Sequence, residues 1–138
     1  MRSYVIGLSL LIFSAVAEAN YKQELTCLTA AIHQEASIES KDGKIAVAHV
    51  ILNRTKLKKY NNTVCGVIKE PGQFQWFSPN KIQYVKENSS IAHKVLTGKL
   101  DDPTNGATHF HNLKVKPKWS KTLDFKIQIG SHKFYKDS

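Results

Sequence analysis

The sequence predicts one small α+β domain, and three observations carry that reading. The first two thirds place apolar residues at helical spacing, while the last third turns to alternation and β-favouring residues. At 138 residues the chain is long enough for a single modest core. The result is about three main helices with a short antiparallel β element across one side.

The elements follow in order. Met1 to Ala19 reads MRSYVIGLSLLIFSAVAEA, with a basic residue at Arg2, an apolar run from Tyr4 to Val16, and small residues at Ala17 and Ala19. That is the pattern of an export leader, so residues 1–19 are expected to be removed by cleavage after Ala19. The run is too short for a comfortable membrane span, and an uncleaved anchor is the competing reading. The domain then occupies residues 20–138 and works outside the cytoplasm, in the periplasm, the cell wall or the medium.

A first helix is placed from Tyr21 to Ser37, because Leu28, Ile32 and Ala36 fall on one stripe. IESKDG connects it onward, with Ser40 and Asp42 as candidate caps and Gly43 as the flexible point. A second helix is placed from Lys44 to Lys58. It is apolar almost all round, from Ile45 to Leu52, which marks a central, covered element. Asn53 and Arg54 close it with polar groups suited to bonding neighbouring loops. VCGVI is a short apolar piece expected to dock beside the first helix through Cys65. A third helix runs from Ile82 to Thr97, with Gly98 as its C-cap. Beyond DDPTNG, the stretches GATHFHNLKVKPKW and DFKIQIGSHKFYK suggest two or three strands. Their alternation is imperfect, so the register is not fixed by pattern.

Cys27 and Cys65 are the only cysteines, and export lets such a pair oxidise. A bridge would close a loop of about forty residues, which loop-entropy models value at roughly 3–4 kcal/mol. Two buried free thiols are the alternative. The formal net charge of +9 favours anionic partners such as wall glycan, lipopolysaccharide or acidic lipid. No helix-turn-helix, RRM or zinc-finger pattern appears, so nucleic acid is not expected as a partner.

Three places carry candidate chemistry. Glu35 lies three residues beyond Ile32 and seven beyond Leu28, on the buried stripe of its helix. A sheltered carboxyl tends to hold its proton, and a protonated acid is what cleaving a glycosidic bond demands. A Glu at a helix end that simply reaches solvent is the plain alternative. In EPGQFQWFSPN, Phe74, Trp76 and Phe77 stand beside Gln73, Gln75 and Asn80. Such a mixture suits a sugar-binding wall, or else an aromatic minicore that pins the loop. His109 and His111 alternate on one expected strand and face one side. His132 from a neighbouring strand could join them in a zinc site, which makes a zinc-dependent amidase or peptidase the rival enzyme class. No HExxH helix pair supports that rival.

Five blocks in this chain resemble the SleB-like cell wall hydrolases, a family that includes spore-cortex-lytic enzymes and phage and bacterial lysins. The blocks are CLTAAIHQEA; GKIAVAHVILNR with NTVCGVI; GQFQW; DPTNGATHFHN; and IGSHKFY, in the family's order from Cys27 to Tyr135. The resemblance implies a lysozyme-like domain that cuts peptidoglycan glycan strands between N-acetylmuramic acid and N-acetylglucosamine as a lytic transglycosylase. It implies Glu35 as the catalytic acid, with Glu39 at the family's second acidic position, as a substrate contact or a partner of Glu35. This chain has Ser37 and Ile38 where the family usually has Arg and Gly, which alters the expected turn and removes a candidate binder of substrate or of Glu39. A lytic transglycosylase needs one catalytic carboxyl; a two-carboxylate hydrolase needs a second about 5 to 9.5 Å away, with Glu39, Asp101 or Asp102 as contenders. Substrate contacts are expected from Glu39, Gln73, Phe74, Trp76, His109, His111 and Tyr135. No metal or cofactor is expected, nor membrane insertion after leader removal, and the chain is read as a monomer. A wall-binding relative without activity is the third alternative.

Overall fold

The computed structural model describes residues 2–71 and 86–137, with side chains described from residue 15 onward. Among the described residues, four α-helices, a 3-10 turn and three strands follow one another.

Helix α1 runs Arg2–Ala36 and is longer than the sequence pattern suggests, because the residues before Tyr21 continue into it without a break. Ala15 to Asn20 contain good helix formers and no Pro or Gly, so nothing stops the helix there. Residues 15–20 are all exposed, and the first partly covered side chain among those described is Tyr21, whose hydroxyl pairs with His93 Nδ1. From Cys27 to Ile32 every residue is buried. Leu28, Ile32 and Ala36 are each 0% exposed, as their spacing requires. Among the described residues no helix is long and apolar enough to cross a membrane.

Helix α2, Lys41–Arg54, starts earlier and ends earlier than expected. Ser40 supplies the N-cap, its hydroxyl accepting from Gly43 N at 3.3 Å, which brings Lys41 into the first turn. At the other end the Thr55 hydroxyl bonds back to Leu52 O at 2.6 Å, and the chain continues in three-residue turns (Leu57 N to Arg54 O, 3.0 Å). Ile45 through Ile51 are all buried, so α2 is the central element of the core.

Helix α3, Val64–Lys69, is short and held at both chemistry and backbone. Thr63 caps it through Gly66 N at 3.0 Å. The Glu24 carboxylate of α1 accepts from Val64 N and Cys65 N at 2.6 and 3.1 Å, placing negative charge where unpaired N–H groups point. The Cys27 and Cys65 sulfurs are bonded, with Cα atoms 5.3 Å apart. VCGVI therefore docks on α1 as its sequence suggested. Helix α4, Lys86–Leu96, buries Asn88, Ile91, Ala92 and Val95 against the other helices, and Gly98 takes a left-handed φ of 74° just beyond it. The expected start of this helix, residues 82–85, lies outside the described residues.

Strands β1 (His109–Asn112), β2 (Asp124–Ile129) and β3 (His132–Lys136) form an antiparallel sheet in the order β1-β3-β2. A register shift between Phe125 and Ile127 marks a bulge in β2. The pairing sorts side chains by face. Phe110, Phe134, Ile127 and Ile129 point to the helical core. His109, Tyr135 and Phe125 form a row on the opposite face.

Candidate active site

Three elements meet at the candidate site: the end of α1, the end of α2, and the loop that leads into β1. Glu35 stands in the last turn of α1, half-buried between exposed Gln34 and buried Ala36. Its charge is one of those that stabilise the Arg54 cation, so the ends of α1 and α2 are electrostatically joined.

Arg54 is 8% exposed, and its Nε donates to Thr108 O at 2.7 Å. Its guanidinium carbon lies 5.3 Å from the Tyr60 ring centroid. Burial lowers the Arg54 pKa, opposed by the charges of Tyr60, Glu70 and Glu35. The neighbouring Asn53 donates to Asp102 Oδ2 at 2.8 Å and to Ala107 O at 2.9 Å. Asp102 also accepts from Thr104 N, the Thr104 hydroxyl and Gly106 N at 2.8, 2.6 and 2.9 Å. Burial would raise its pKa, but these hydrogen bonds outweigh burial and hold it below the usual value. The carboxylate is thus a hub of the turn, not a free acid. Asn105 and Gly106, at φ 53° and 89°, complete that turn.

The loop delivers Thr108 and then the histidines of β1. His109 bonds Thr108 Oγ1 through Nδ1 at 2.9 Å. Burial and the charges of Arg54 and Lys59 lower its pKa to about 4, so the ring is neutral at pH 7. His111 is 9% exposed; its Nδ1 lies 2.8 Å from Asn112 O and its Nε2 3.1 Å from the Tyr135 hydroxyl. A carbonyl only accepts, so Nδ1 carries the proton and Nε2 accepts from Tyr135.

Trp119, from the 3-10 turn Lys118–Lys121, covers this face. Its ring centroid lies 5.1, 5.6 and 5.4 Å from those of His109, His111 and Tyr135. That cover explains why Tyr135 is only 6% exposed. Phe125, 52% exposed, extends the aromatic row with its centroid 5.5 Å from Tyr135. Trp119 and Arg54 are the residues that sequence reasoning did not name for the site. Lys114, Lys116, Lys118 and Lys121 around Trp119 hid it as part of a basic loop, although an isolated Trp after alternating Val115 and Pro117 was a signal.

Of the sequence candidates, the structure gathers His109, His111 and Tyr135 on one sheet face and ties that face to Glu35 through Arg54. Glu39 lies elsewhere: its side chain is 8% exposed and its Oε1 accepts from Ser131 N at 3.0 Å and from the Ser131 hydroxyl. His132 does not share a face with His109 and His111, as the zinc alternative required. It pairs opposite Asn112, and its ring packs 5.1 Å from that of Phe110 on the core side. Its Nδ1 is 3.3 Å from Glu39 Oε1, a close contact without hydrogen-bond alignment. Among the described residues no group of three His, Cys, Asp or Glu is arranged to hold a metal. Gln73, Phe74 and Trp76 lie outside the described residues. Ser37 and Ile38 are exposed, Ile38 by 89%.

Comparison with known proteins places this fold. The catalytic domain of the germination-specific lytic transglycosylase SleB from Bacillus anthracis superposes with a TM-score of 0.73 at 31% identity, over 82% of this chain and 93% of that one. The catalytic domain of the Bacillus cereus SleB protein gives a TM-score of 0.74 at 30% identity, over 83% and 91%. The α+β fold is thus the lysozyme-like one of those domains. A spore cortex-lytic enzyme from Bacillus cereus is 33% identical over 117 residues, 83% of this chain and 45% of its own length. One from Oceanobacillus iheyensis is 31% identical over 123 residues, 88% of this chain and 44% of its own. The chain therefore spans less than half the length of these curated relatives. With the family model for cell wall hydrolases matching residues 38–135, the chain belongs to the cell wall hydrolase family.

Proposed function

We propose that this chain is an exported peptidoglycan lytic transglycosylase, cleaving the glycan strand between N-acetylmuramic acid and N-acetylglucosamine with Glu35 as its one acid and base. The observation that carries the reading is the half-buried Glu35 at the end of α1, in the field of Arg54, in a chain that matches 93% of a lytic transglycosylase catalytic domain. Glu35 gives its proton to the glycosidic oxygen, the C1–O bond breaks, and N-acetylglucosamine leaves with a free hydroxyl. The carboxylate left behind lies in the field of Arg54. It then takes the proton of the muramic 6-hydroxyl as O6 closes on C1, giving a 1,6-anhydro end and restoring the acid without water. Support for a single acid comes from its neighbours: Glu39 is engaged by Ser131, and Asp102 by Thr104, Gly106 and Asn53.

Gln73, Phe74 and Trp76 with His109, His111 and Tyr135 are the proposed substrate contacts, aromatic faces stacking on sugar rings and polar groups bonding hydroxyls. The leader is proposed to end at Ala19. Residues 15–20 are exposed, and Tyr21 is partly covered and bonds His93, which supports a boundary there. The net charge of +9 suits retention on an anionic wall.

Digestion of purified peptidoglycan followed by mass spectrometry tests the reading. Anhydro-muramic ends are expected from the wild type and none from Glu35→Gln, with EDTA leaving the yield unchanged. Reducing ends in place of anhydro ends would make the chain a hydrolase. Full activity of Glu35→Gln, or loss with EDTA, would overturn the assignment of the acid.

A further inference from the structure

Glu39 is a carboxylate almost closed to water, and it faces away from the aromatic row. Glu39 N bonds Ala36 O at 3.0 Å, so the chain closes a tight turn directly after Glu35 and Ala36. From that turn the carboxylate reaches the connection between β2 and β3, where Ser131 donates both its backbone N–H and its hydroxyl to Oε1. Two glycines leave the room for it. A Cβ on Gly43 would stand 3.0 Å from Glu39 Cβ, and one on Gly130 would stand 3.1 Å from Oε2. Gly130 also has a φ of 57°, where other residues are strained. His132 Nδ1 packs 3.3 Å from Oε1 without a hydrogen bond, so the two bonds from Ser131 carry the contact. Charge-assisted bonds of this kind are stronger than neutral ones, and these lie in a site almost closed to water.

We infer that Glu39 is a positioning residue, a strut that fixes the hairpin of β2 and β3 against the end of α1 and so sets Tyr135 and its sheet face relative to Glu35. Only three residues separate Glu35 from the strut, and three separate Ser131 from Tyr135. A shift at this joint therefore reaches both sides of the site with little chain to absorb it. The role needs a hydrogen-bond acceptor of this length and no proton transfer. It also accounts for the glycines at 43 and 130 and the serine at 131 through one contact. The inference rests on the proposed reaction, since it assigns Glu39 a task within that site.

Four variants test it on purified peptidoglycan: Glu39→Gln, Glu39→Ala, Gly130→Ala, and Glu39→Ala combined with Gly130→Ala. Glu39→Ala is expected to lower kcat roughly tenfold to a hundredfold, with KM within about twofold. Glu39→Gln is expected to restore most of that, because its amide oxygen still accepts from Ser131. Gly130→Ala is expected to lower kcat when Glu39 is present and to cost much less on top of Glu39→Ala. Hydrogen exchange at the Ser131 amide gives a readout that needs no turnover: protected in the wild type and in Glu39→Gln, fast in Glu39→Ala. If Glu39→Gln is as inactive as Glu39→Ala while its Ser131 amide stays protected, the carboxylate does chemistry and the strut is overturned. Unchanged kcat in Glu39→Ala, or a slow Ser131 amide in it, also overturns it. An inactive wild type, or a fully active Glu35→Gln, would instead count against the proposed reaction, and the Ser131 exchange would still decide the strut.

Discussion

Arg54 Nε donates to the carbonyl oxygen of Thr108 at 2.7 Å, which fastens the last turn of α2 to the residue before β1. The same guanidinium lies in the field of Glu35 and beside the Tyr60 ring, so one buried cation relates the acid to the histidine strand. Removing it leaves Thr108 O without that donor and Glu35 without that charge. Arg54→Ala is expected to cost about 2–3 kcal/mol, in the range for a hydrogen bond to a charged group, and to lower cleavage as well. Arg54→Lys keeps the charge but not the flat fork, and is expected to recover activity better than stability. Urea midpoints and digestion rates on the same preparations measure both; an unchanged midpoint in Arg54→Ala would refute the link.

The Cys27–Cys65 bond spans a sequence separation of 38 residues and joins α1 to α3. Closing a loop of that size in the unfolded chain is worth about 3–4 kcal/mol in loop-entropy models. Cys27→Ser with Cys65→Ser is expected to lower the urea midpoint accordingly. A reductant should bring the wild type down to the double variant and leave the double variant where it is. If the reductant shifts both equally, its effect lies elsewhere.

Stability should also fall on mild acidification. The His109 pKa is lowered to about 4 by burial and by the Arg54 and Lys59 charges, and that of His132 is lowered by burial and His111 against the pull of Glu39. The unfolded chain takes up protons on these rings as pH drops through about 6.5, whereas folded His109 does so only near pH 4. The folded state is therefore favoured fully above pH 6.5 and loses this contribution as pH falls towards 4. Asp102, with its lowered pKa, acts in a separate window, giving stability that is lost only below its ordinary value of 3.8. His109→Gln is expected to flatten the slope between pH 6.5 and 4 in part, His132 keeping the rest. Urea titrations at half-unit pH steps read this directly, and an unaltered slope in His109→Gln would show that His109 is not its source.

How much of this was legible depended on whether the determinant was local. The buried stripe of α1, the covered α2, the docking of VCGVI and the cap at Gly98 are repeated or short-range patterns, and each reads from the residues themselves. Helix limits did not: of the two candidate caps Ser40 took the position, starting α2 at Lys41, and the Thr55 hydroxyl ended α2 early. The sheet register was hidden for a physical reason: β1 has only four residues and β2 carries a bulge, so no strict alternation exists to be read. Glu35 could be singled out from helical spacing, and the family resemblance gave it its proposed role. Arg54 was legible only as a polar end to α2, since its partner Thr108 lies 54 residues away. The partners of Glu39 were out of reach for the same reason, with 92 residues between it and Ser131.

Trp119 gives the last test, because the exposure of the proposed substrate wall depends on it. Its ring meets those of His109, His111 and Tyr135 edge-on or tilted, which are favourable arrangements for aromatic pairs. Without it, His111 and Tyr135 would lose their cover and gain solvent. Trp119→Ala is expected to cost about 2 kcal/mol, less than the 3–5 kcal/mol typical of a fully buried Trp, because this one is only partly covered. Trp119→Phe should recover about half of that by restoring a flat apolar face. If the face of Trp119 and its neighbours holds a sugar ring, KM for peptidoglycan rises in Trp119→Ala more than kcat falls, whereas Arg54→Ala acts chiefly on kcat. Steady-state digestion of the two variants side by side separates these effects. A Trp119→Ala enzyme with wild-type KM would remove the aromatic row from the substrate path and leave it a purely structural cover over the sheet.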